Sequence, residues 1–456
     1  MTNRSARMGE MPIPQLMIRI STPLMLSMVV QALYNIVDSM FGAQYHPEGL
    51  TAVSLAFPVQ QLMIALGVGT GVGLNSLISR RLGEGRPEEA RKAANNGIFL
   101  AVLSWVIFLV FGLLFARPFF AAYTSDPMVL AMGGDYLWIV TVFSLPLFIQ
   151  LAIEKVMQGT GNTMAHMITM VSGAVTNIIL DPLLIFGWGP VPSLGVAGAA
   201  IATVIGQTVS MGVGIWLNQT RNRELALSWK GFRPEKKIIR DIYIVGFPSI
   251  IMQSIGSVMT VLMNGILIAF GNAAVSVLGI YSKLQSFIFM PVFGLTNGLV
   301  AIVGYNYGAR LKQRVYEAIR TALIFAGVIM LVGTILFMGI PGPLLSLFEG
   351  GDAAAADQVE AMYHIGIPAL RIISIGFLGA AVGIIYSTVF QAVGNGFLSL
   401  IISVCRQLVV LLPAAWVLAR WGVNAVWWSF PIAEVVSLIL SLIAYRWADK
   451  KYLRSL

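Results

Sequence analysis

Two aspartates lie inside long apolar stretches of the sequence. Asp38 occurs in ALYNIVDSMFG, residues 32–42, and Asp181 occurs in TNIILDPLLIFG, residues 176–187. A charged aspartate at the middle of a bilayer costs ~2.5–3.5 kcal/mol on insertion scales, and no lysine or arginine is close to either acid along its stretch. If the acids only fastened helices together, this cost would have no compensating gain. We therefore interpret both as functional residues.

Polar side chains accompany both aspartates at helical spacing. Tyr34 and Asn35 precede Asp38 by about one helical turn, and Asn177 precedes Asp181 by the same distance. Residues three or four apart lie on one face of an α-helix. Each asparagine is therefore expected beside its aspartate.

The apolar stretch that follows Asp181 adds further oxygen-bearing side chains. This stretch runs back across the membrane from about Val196, so Thr203 should lie near the depth of the two aspartates, with Gln207 one turn deeper. Carboxylate, amide and hydroxyl oxygens are the ligands that hard cations prefer. Together with the two aspartates and their polar neighbours, these side chains are suited to binding a proton or a small cation such as sodium.

Two prolines interrupt the same stretches. Pro23 lies in the stretch of Asp38, and Pro182 directly follows Asp181. A proline removes a backbone hydrogen bond and kinks a helix. Static kinks and helices that bend as the site changes charge are both compatible with this pattern.

The elements that carry these residues must be membrane-spanning helices. Of 456 residues, 57% are hydrophobic and 11% charged, and the mean hydropathy of +0.82 excludes a soluble domain with a water-facing surface. Apolar runs of about 20 residues, each able to cross ~30 Å of hydrocarbon as a helix, recur along the chain. The first is too long for a removable signal peptide. Twelve spans are predicted, at 14–41, 52–79, 95–116, 136–158, 163–187, 196–218, 241–269, 274–304, 318–340, 365–390, 396–418 and 424–446.

The net charge of +9 indicates topology rather than nucleic-acid binding. Of 29 Lys and Arg, 22 occur in the two tails and in the alternate loops 80–92, 221–240 and 310–320. Such basic segments stay in the cytoplasm. We therefore expect a multi-pass protein of the cell (inner) membrane with both termini cytoplasmic. The basic residues are scattered over several loops without interleaved aromatics, which disfavours a nucleic-acid partner.

The two halves of the sequence resemble each other. MQGTGN at 157–162 corresponds to FQAVGN at 390–395, the stretch from Pro23 resembles the one from Pro248, and Gly83 of RRLGEG matches Gly308 of NYGAR. Because six spans are an even number, both copies enter from the same side, and the repeat is parallel. The sequence predicts an all-α polytopic protein of two six-helix bundles, at 1–218 and 241–456, joined by a basic cytoplasmic linker at 219–240.

Several motifs resemble those of the multidrug and toxic compound extrusion (MATE) family of cation-coupled exporters. In chain order they are YNIVD with the following Gly42, SRRLGEG, QGTGN, NIILDPLLI, GVAGAAIAT and VGYNYGA, and together they cover nearly the whole chain. The resemblance implies two bundles in a V shape around a central cavity. It also implies an ion site at Asp38, Asn177, Asp181 and Thr203, with sodium as one candidate ion.

The second half departs from one part of the family pattern. Some MATE branches place coupling acids in spans 7 and 10, but span 7 after Asp241 and the stretch from Ile365 to Gln391 contain none. In the repeat, Met263 matches Asp38, and LLPAAW matches the stretch around Asp181. The resemblance therefore favours a bacterial-type branch with its ion site in the N-terminal bundle.

Other charged residues inside the spans are secondary candidates. Glu154 and Lys155 lie near the cytoplasmic end of span 4, where we expect their side chains to extend to the membrane surface. Four further charged residues lie inside spans of the second bundle, and their signs allow a buried network that fixes helix packing. The alternative is a role in the cavity. These four are Lys283, Arg371, Arg406 and Glu434.

These observations predict a proton- or sodium-coupled antiporter that exports lipophilic organic cations and drugs by alternating access. GVGTGVG at 67–73 lacks the Lys-Ser/Thr of a phosphate loop, so we expect no ATP site and no cofactor besides the coupling ion. The alternative is a flippase for lipid-linked precursors of related two-lobe architecture, with a cavity lined by basic residues. An enzyme is disfavoured because no cluster of histidines or acids lies at a membrane face, and a channel because no filter-like segment occurs. Expected partners are small amphipathic or cationic molecules and membrane lipid, and we expect a monomer.

Overall fold

The chain folds into long helices that lie side by side. A computed structural model describes residues 5–45, 47–228, 230–348 and 356–456, without the side chains of 35–45, 47, 48, 50, 356 and 358. Within these residues no β-strand occurs, and the one isolated bridge joins Trp188 to Val191. The predicted all-α polytopic fold is confirmed.

The main helices follow one another with short connections. In the first half they are α1 (Ile13–Tyr45), α2 (Pro47–Gly83), α3 (Pro87–Tyr123), α4 (Pro127–Val142), α5 (Leu145–Gly159), α6 (Thr163–Ile185) and α7 (Gly195–Arg221). In the second half they are α8 (Lys236–Leu267), α9 (Asn272–Gly308), α10 (Lys312–Gly339), α11 (Ala356–Ser374), α12 (Phe377–Ala392), α13 (Gly396–Val404), α14 (Leu412–Leu418) and α15 (Ser429–Ala448). Short helices lie at Arg7–Glu10, Pro341–Ser346 and Val423–Val426, 3-10 turns at Arg223–Leu225, Ile268–Phe270 and Ala419–Trp421, and π-helical segments at Cys405–Leu411 and Asp449–Leu453.

Two of the predicted spans are broken helices. Within the described residues, ten helices are long and apolar enough to cross a membrane singly, and two bent pairs pass the same test together. Predicted span 4 is the pair α4 and α5, which meet at an angle of 46°. Predicted span 10 is the pair α11 and α12, which meet at 50°. With each pair counted as one span, the number is the twelve that hydropathy predicts.

Local sequence explains where several helices begin and end. Asp126 accepts hydrogen bonds from the backbone N–H groups of Met128 and Val129 at 2.8 and 3.4 Å, and Pro127 occupies the first position of α4. After α5 and α12, the matching glycines of QGTGN and QAVGN, Gly161 and Gly394, adopt φ of 73° and 90°. Side-chain-bearing residues rarely adopt this left-handed conformation, so both turns require glycine.

The halves are interleaved at one end of the molecule. We call this end, which carries the loops 84–86, 222–235 and 309–311, the basic end. Here the beginning of α1, from Ile13 to Leu24, lies in one buried apolar cluster with α9 and the other helices of the second half. In the same way, the beginning of α8 packs against the first half, because Ile242 lies in a cluster with Leu74 and Leu77 of α2. Each half therefore completes part of the other's core.

Candidate functional site

The predicted ion-coupling residues of α6 and α7 meet in the interior of the first half. Asp181 is fully buried, and Asn177 is 3% exposed. With its amide oriented to satisfy both neighbours, Asn177 Nδ2 donates to Asp181 Oδ2 at 2.8 Å, and its Oδ1 accepts from the backbone N–H of Thr203 at 3.1 Å. The Thr203 hydroxyl donates to the carbonyl of Ala199 at 3.0 Å, so a lone pair of its oxygen stays available.

Glycines bring α6 and α7 close enough for these contacts. A Cβ on Gly206 would lie 2.9 Å from the carbonyl oxygen of Gly173 and 3.1 Å from the Cβ of Asn177. A Cβ on Gly198 would lie 2.3 Å from the carbonyl oxygen of Leu184. Because only glycine permits this approach, small residues hold Asn177 against Thr203.

Of the other residues of the predicted site, the structure describes the side chains of Gln207 and Tyr34 but not those of Asn35 and Asp38. Gln207 is half-buried one turn beyond Thr203 on α7, and Tyr34 is half-buried on α1. The side chains of Asn35 and Asp38 lie outside the described residues, so their predicted part in the site stays a prediction. α1 packs against α6, which brings the backbone of α1 next to the helix of Asp181.

The chemistry of the described donors fits either candidate ion. Asp181 offers a carboxylate and Thr203 a hydroxyl oxygen, both hard donors, while the amide of Asn177 is engaged by its two neighbours. A buried carboxylate also fits a proton, which removes its charge. In the described part of the chain no group of three His, Cys, Asp or Glu could hold a tighter metal site.

The two prolines lie within helices, as predicted from their positions. Pro23 is inside α1, where its carbonyl accepts from the Ser27 hydroxyl at 2.8 Å. Pro182 is inside the last turn of α6, and its carbonyl accepts from the backbone N–H of Phe186. Whether either helix bends during function stays a prediction.

Glu154 and Lys155 do not extend to the membrane surface, and that expectation was wrong. Each is 6% exposed. Glu154 accepts from Gln150 Nε2 at 3.0 Å and lies 3.7 Å from His166 Nδ1. Helix α5 turns both side chains into the protein, where polar partners replace the solvent that a snorkelling side chain would seek.

Lys155 instead bridges the two halves. Its Nζ donates to Gln158 Oε1 at 3.0 Å and to Asn297 Oδ1 of α9 at 2.7 Å. Asn75 of α2 adds a hydrogen bond to the carbonyl of the same Asn297 at 3.4 Å. A buried cation with two amide acceptors therefore lies at the boundary between α5 and α9. The sequence signal was present in the two opposite charges at 154 and 155, but Asn297, the partner in the other half, is distant in sequence.

The four charged candidates within the spans of the second half form one ion pair rather than a network of four. Arg406 Nη1 lies 3.2 Å from Glu434 Oε1, and both side chains are mostly buried. Lys283 lies over the ring of Phe348. Arg371 is exposed and donates through Nε to the carbonyl of Met338 at 3.2 Å.

Matching glycines of the repeat form the contact between the halves, a role that sequence reasoning missed. A Cβ on Gly69 of α2 would lie 2.8 Å from the Cα of Ile250, and one on the equivalent Gly294 of α9 would lie 2.7 Å from the Cα of Met25. These contacts lie in the part of each helix nearer the basic end. The signal in the sequence was the equal spacing of glycines along spans 2 and 8.

Hydrogen bonds reinforce this contact toward the basic end. The Ser76 hydroxyl donates to the carbonyl of Gln391 at 2.6 Å. Arg314 of α10 donates to the carbonyls of Met8 and Met11 at 3.0 and 2.7 Å. Arg81 Nη2 lies 3.5 Å from Asp241 Oδ2. The halves are thus joined from the middle of α2 and α9 to the basic end.

The chain is similar to transporters along its whole length. It is 27% identical over 442 residues to the multidrug export protein MepA of Staphylococcus aureus, covering 96% of this chain and 95% of that protein. It is 26% identical over 447 residues to the FAD transporter of Shewanella oneidensis, with the same coverage.

Solved structures show the same fold. A structure described as the outward-facing conformation of a multidrug resistance MATE family transporter of the MOP superfamily matches with a TM-score of 0.91 and 26% identity over all of both chains. A MATE structure in complex with MaL6 matches with a TM-score of 0.91 and 25% identity, also over all of both chains. The MatE family model matches residues 23–183 and 248–417, once in each half. The chain therefore belongs to the MatE family of membrane transporters.

Proposed function

We propose that the protein is an antiporter that uses a proton or sodium gradient to export lipophilic organic cations from the cell. The observation that carries this proposal is the fully buried Asp181, held by Asn177 next to Thr203 inside the first half. A carboxylate buried there is a group that can take up a proton or coordinate a small cation. Such a site supplies the coupling that a transporter without a phosphate loop needs.

The contacts between the halves support alternating access. The basic end is closed by Gly69, Gly294 and their partners, and by the buried hydrogen bonds of Lys155. With the basic end in the cytoplasm, as the positive-inside rule indicates, this is the state closed to the cytoplasm. The similarity to a structure described as outward-facing supports the same assignment. Separation of the two halves at the basic end would then produce the opposite state.

One coupled charge is sufficient for useful export. At a membrane potential of ~100 mV, one elementary charge supplies ~2.3 kcal/mol. This free energy supports a substrate gradient of roughly fifty-fold. A single-ion antiporter is therefore adequate.

The substrate class follows from the family and from the charges inside the protein. MepA is named a multidrug export protein, and the Shewanella relative is named a FAD transporter. A flippase for lipid-linked precursors would need a cavity rich in unpaired basic residues. Here Arg406 is paired with Glu434, and Lys283 lies over Phe348. This arrangement favours cationic substrates over anionic ones.

The test is transport by the purified protein in proteoliposomes, with proton and sodium gradients imposed separately. We expect ethidium uptake to follow one of the two gradients. Reconstitution with FAD or with a lipid-linked precursor in place of ethidium provides the comparison. Gradient-driven movement of either of these, with no movement of ethidium, would contradict the proposal.

A further inference from the structure

The second half contains a cavity of about 230 Å³ that the proposed coupling residues do not line. Helices α8, α9, α11, α12 and α15 contribute to its wall, together with the π-helical segment Cys405–Leu411. Five aromatic residues line the cavity: Tyr281, Phe289, Phe293, Phe377 and Phe430. The rings of Phe289 and Phe377 meet edge to face at 5.3 Å, and those of Tyr281 and Phe430 at 5.9 Å. Such interlocked rings form a rigid wall.

One ion pair lies in this aromatic wall. Arg406 and Glu434 make a single contact, between Nη1 and Oε1 at 3.2 Å. The other carboxylate oxygen, Oε2, is buried and has no hydrogen-bond donor among the described residues. A buried acceptor without a donor is unfavourable, so the site favours a molecule that supplies an N–H group.

The backbone around the ion pair is irregular on both sides. Arg406 and Gln407 both line the cavity, although consecutive residues of an α-helix point in directions about 100° apart. They lie in the π-helical segment, whose wider turn brings both toward one side, and such segments occur frequently at functional sites. The π-helical segment thus presents two adjacent polar side chains to the cavity.

On the other side, Glu434 packs into the break between α11 and α12. A Cβ on Gly376 would lie 3.0 Å from Glu434 Cγ, so glycine provides the space for the glutamate stem. Gly376 is also the N-cap of α12, and the positive end of a helix dipole favours a carboxylate. Broken spans at corresponding positions of two transporter halves are typical of binding sites.

We propose that this cavity binds the aromatic, ammonium-bearing part of a transported cation, with Glu434 as its counter-ion. This inference rests on the proposed function, because it names where a cationic substrate is held. An ammonium supplies the missing donor to Glu434, and its positive charge is attracted to the faces of the surrounding rings. An anion would bring only acceptors to a glutamate that needs a donor. The volume admits one or two fused rings rather than a whole large drug.

The test is direct binding to the purified full-length protein in nanodiscs, with 1-naphthylmethylammonium and its N-trimethyl analogue as probes. Both have the same rings and charge, but only the first has ammonium N–H donors. We expect the wild type to bind the first at least fivefold tighter. E434Q should raise its Kd at least tenfold, whereas R406Q should bind it at least as tightly as the wild type, because the competing cation is removed. E317Q, which alters an exposed glutamate of α10, should bind like the wild type.

Two results would overturn the proposal. One is an unchanged Kd in folded E434Q. The other is an equal loss of affinity in E434Q and R406Q, which would indicate that the ion pair only supports the fold. If E434Q does not fold, A433L decides, because its larger side chain should fill the cavity and abolish binding, and unchanged binding would refute the site. The expected binding pattern without any gradient-driven transport would support the site and refute the proposed function.

Discussion

Gly83 and Gly308 lie against each other's helices in the same way. A Cβ on Gly83 would be 2.0 Å from the carbonyl oxygen of Tyr305, and one on Gly308 would be 2.2 Å from the carbonyl oxygen of Arg80. Tyr305 is three residues before Gly308, and Arg80 is three residues before Gly83. The contact therefore repeats itself about an approximate two-fold axis. The repeat places its two copies of one glycine where α2 and α9 cross.

Replacing either glycine by alanine should favour the state that is open at the basic end. The added Cβ has no space beside a backbone carbonyl, so the two helices must separate. We expect G83A and G308A each to shift the population at least tenfold, about 1.4 kcal/mol. The measurement is pulsed EPR on spin labels at positions 86 and 312 in a C405S background, where the distance should lengthen.

The matched control is G279A on α9, because a Cβ at Gly279 meets nothing within 4 Å. It should leave the distance distribution unchanged. A wild-type distribution in both G83A and G308A would show that this contact does not hold the basic end closed.

Neutralising either proposed coupling acid should remove most gradient-driven transport. Asp38→Asn and Asp181→Asn should each reduce it at least tenfold, and the double variant should be little worse, since groups that act as a unit are not additive. Folding should survive because asparagine is nearly isosteric with a protonated aspartate. The measurement is ethidium efflux in vesicles at matched protein level, over a range of pH and sodium concentration.

The exposed Glu317 of α10 supplies the control for the coupling acids, as E317Q. Glu154 is unsuitable as a control because it is buried beside Gln150 and His166. Near-normal efflux in both aspartate variants would rule out coupling through Asp38 and Asp181.

Lys155 and Asn297 should stabilise the closed basic end as a pair. K155M leaves the Asn297 oxygen without its 2.7 Å donor, and N297L removes one of the two amide acceptors of a buried ammonium, the other being Gln158. A hydrogen bond to a charged group contributes about 1.5–3 kcal/mol. We expect each single variant to lengthen the same EPR distance, and the double variant to add less than the sum of the two effects. K283M is the control; additive effects of K155M and N297L would show that the two residues act independently.

Membrane orientation can be tested with single cysteines in the C405S background. Trp188 is 76% exposed at the end opposite to the basic loops, and Lys230 is exposed in the basic linker. In intact cells, a membrane-impermeant maleimide should label W188C and not K230C, because basic loops stay in the cytoplasm. Labelling of K230C alone would reverse the assignment of the basic end and of the outward-facing state.

Hydropathy, internal similarity and residue spacing were enough to predict the number and order of spans, the repeat and the contact of Asn177 with Asp181. Hydropathy is a property of each segment alone, so twelve spans could be read without knowledge of packing. The spacing of Asn177 and Asp181 is also local, because both lie on α6, and their contact follows from helical geometry. Thr203 could be included in the predicted site because the direction of its span gives its approximate depth in the membrane.

The partners of the charged side chains depend on how the helices pack. Lys155 looks like a residue able to reach the membrane surface, but α5 turns it toward Asn297, which lies far away in the sequence. Among Lys283, Arg371, Arg406 and Glu434, the sequence does not show which residues pair. Helix packing brings Arg406 and Glu434 together. Hydropathy does not report backbone geometry, so it reveals neither the π-helical segment nor the break at Gly376. The Lys155–Asn297 hydrogen bond and the Arg406–Glu434 ion pair join segments that are distant in sequence, so no local sequence pattern predicts them.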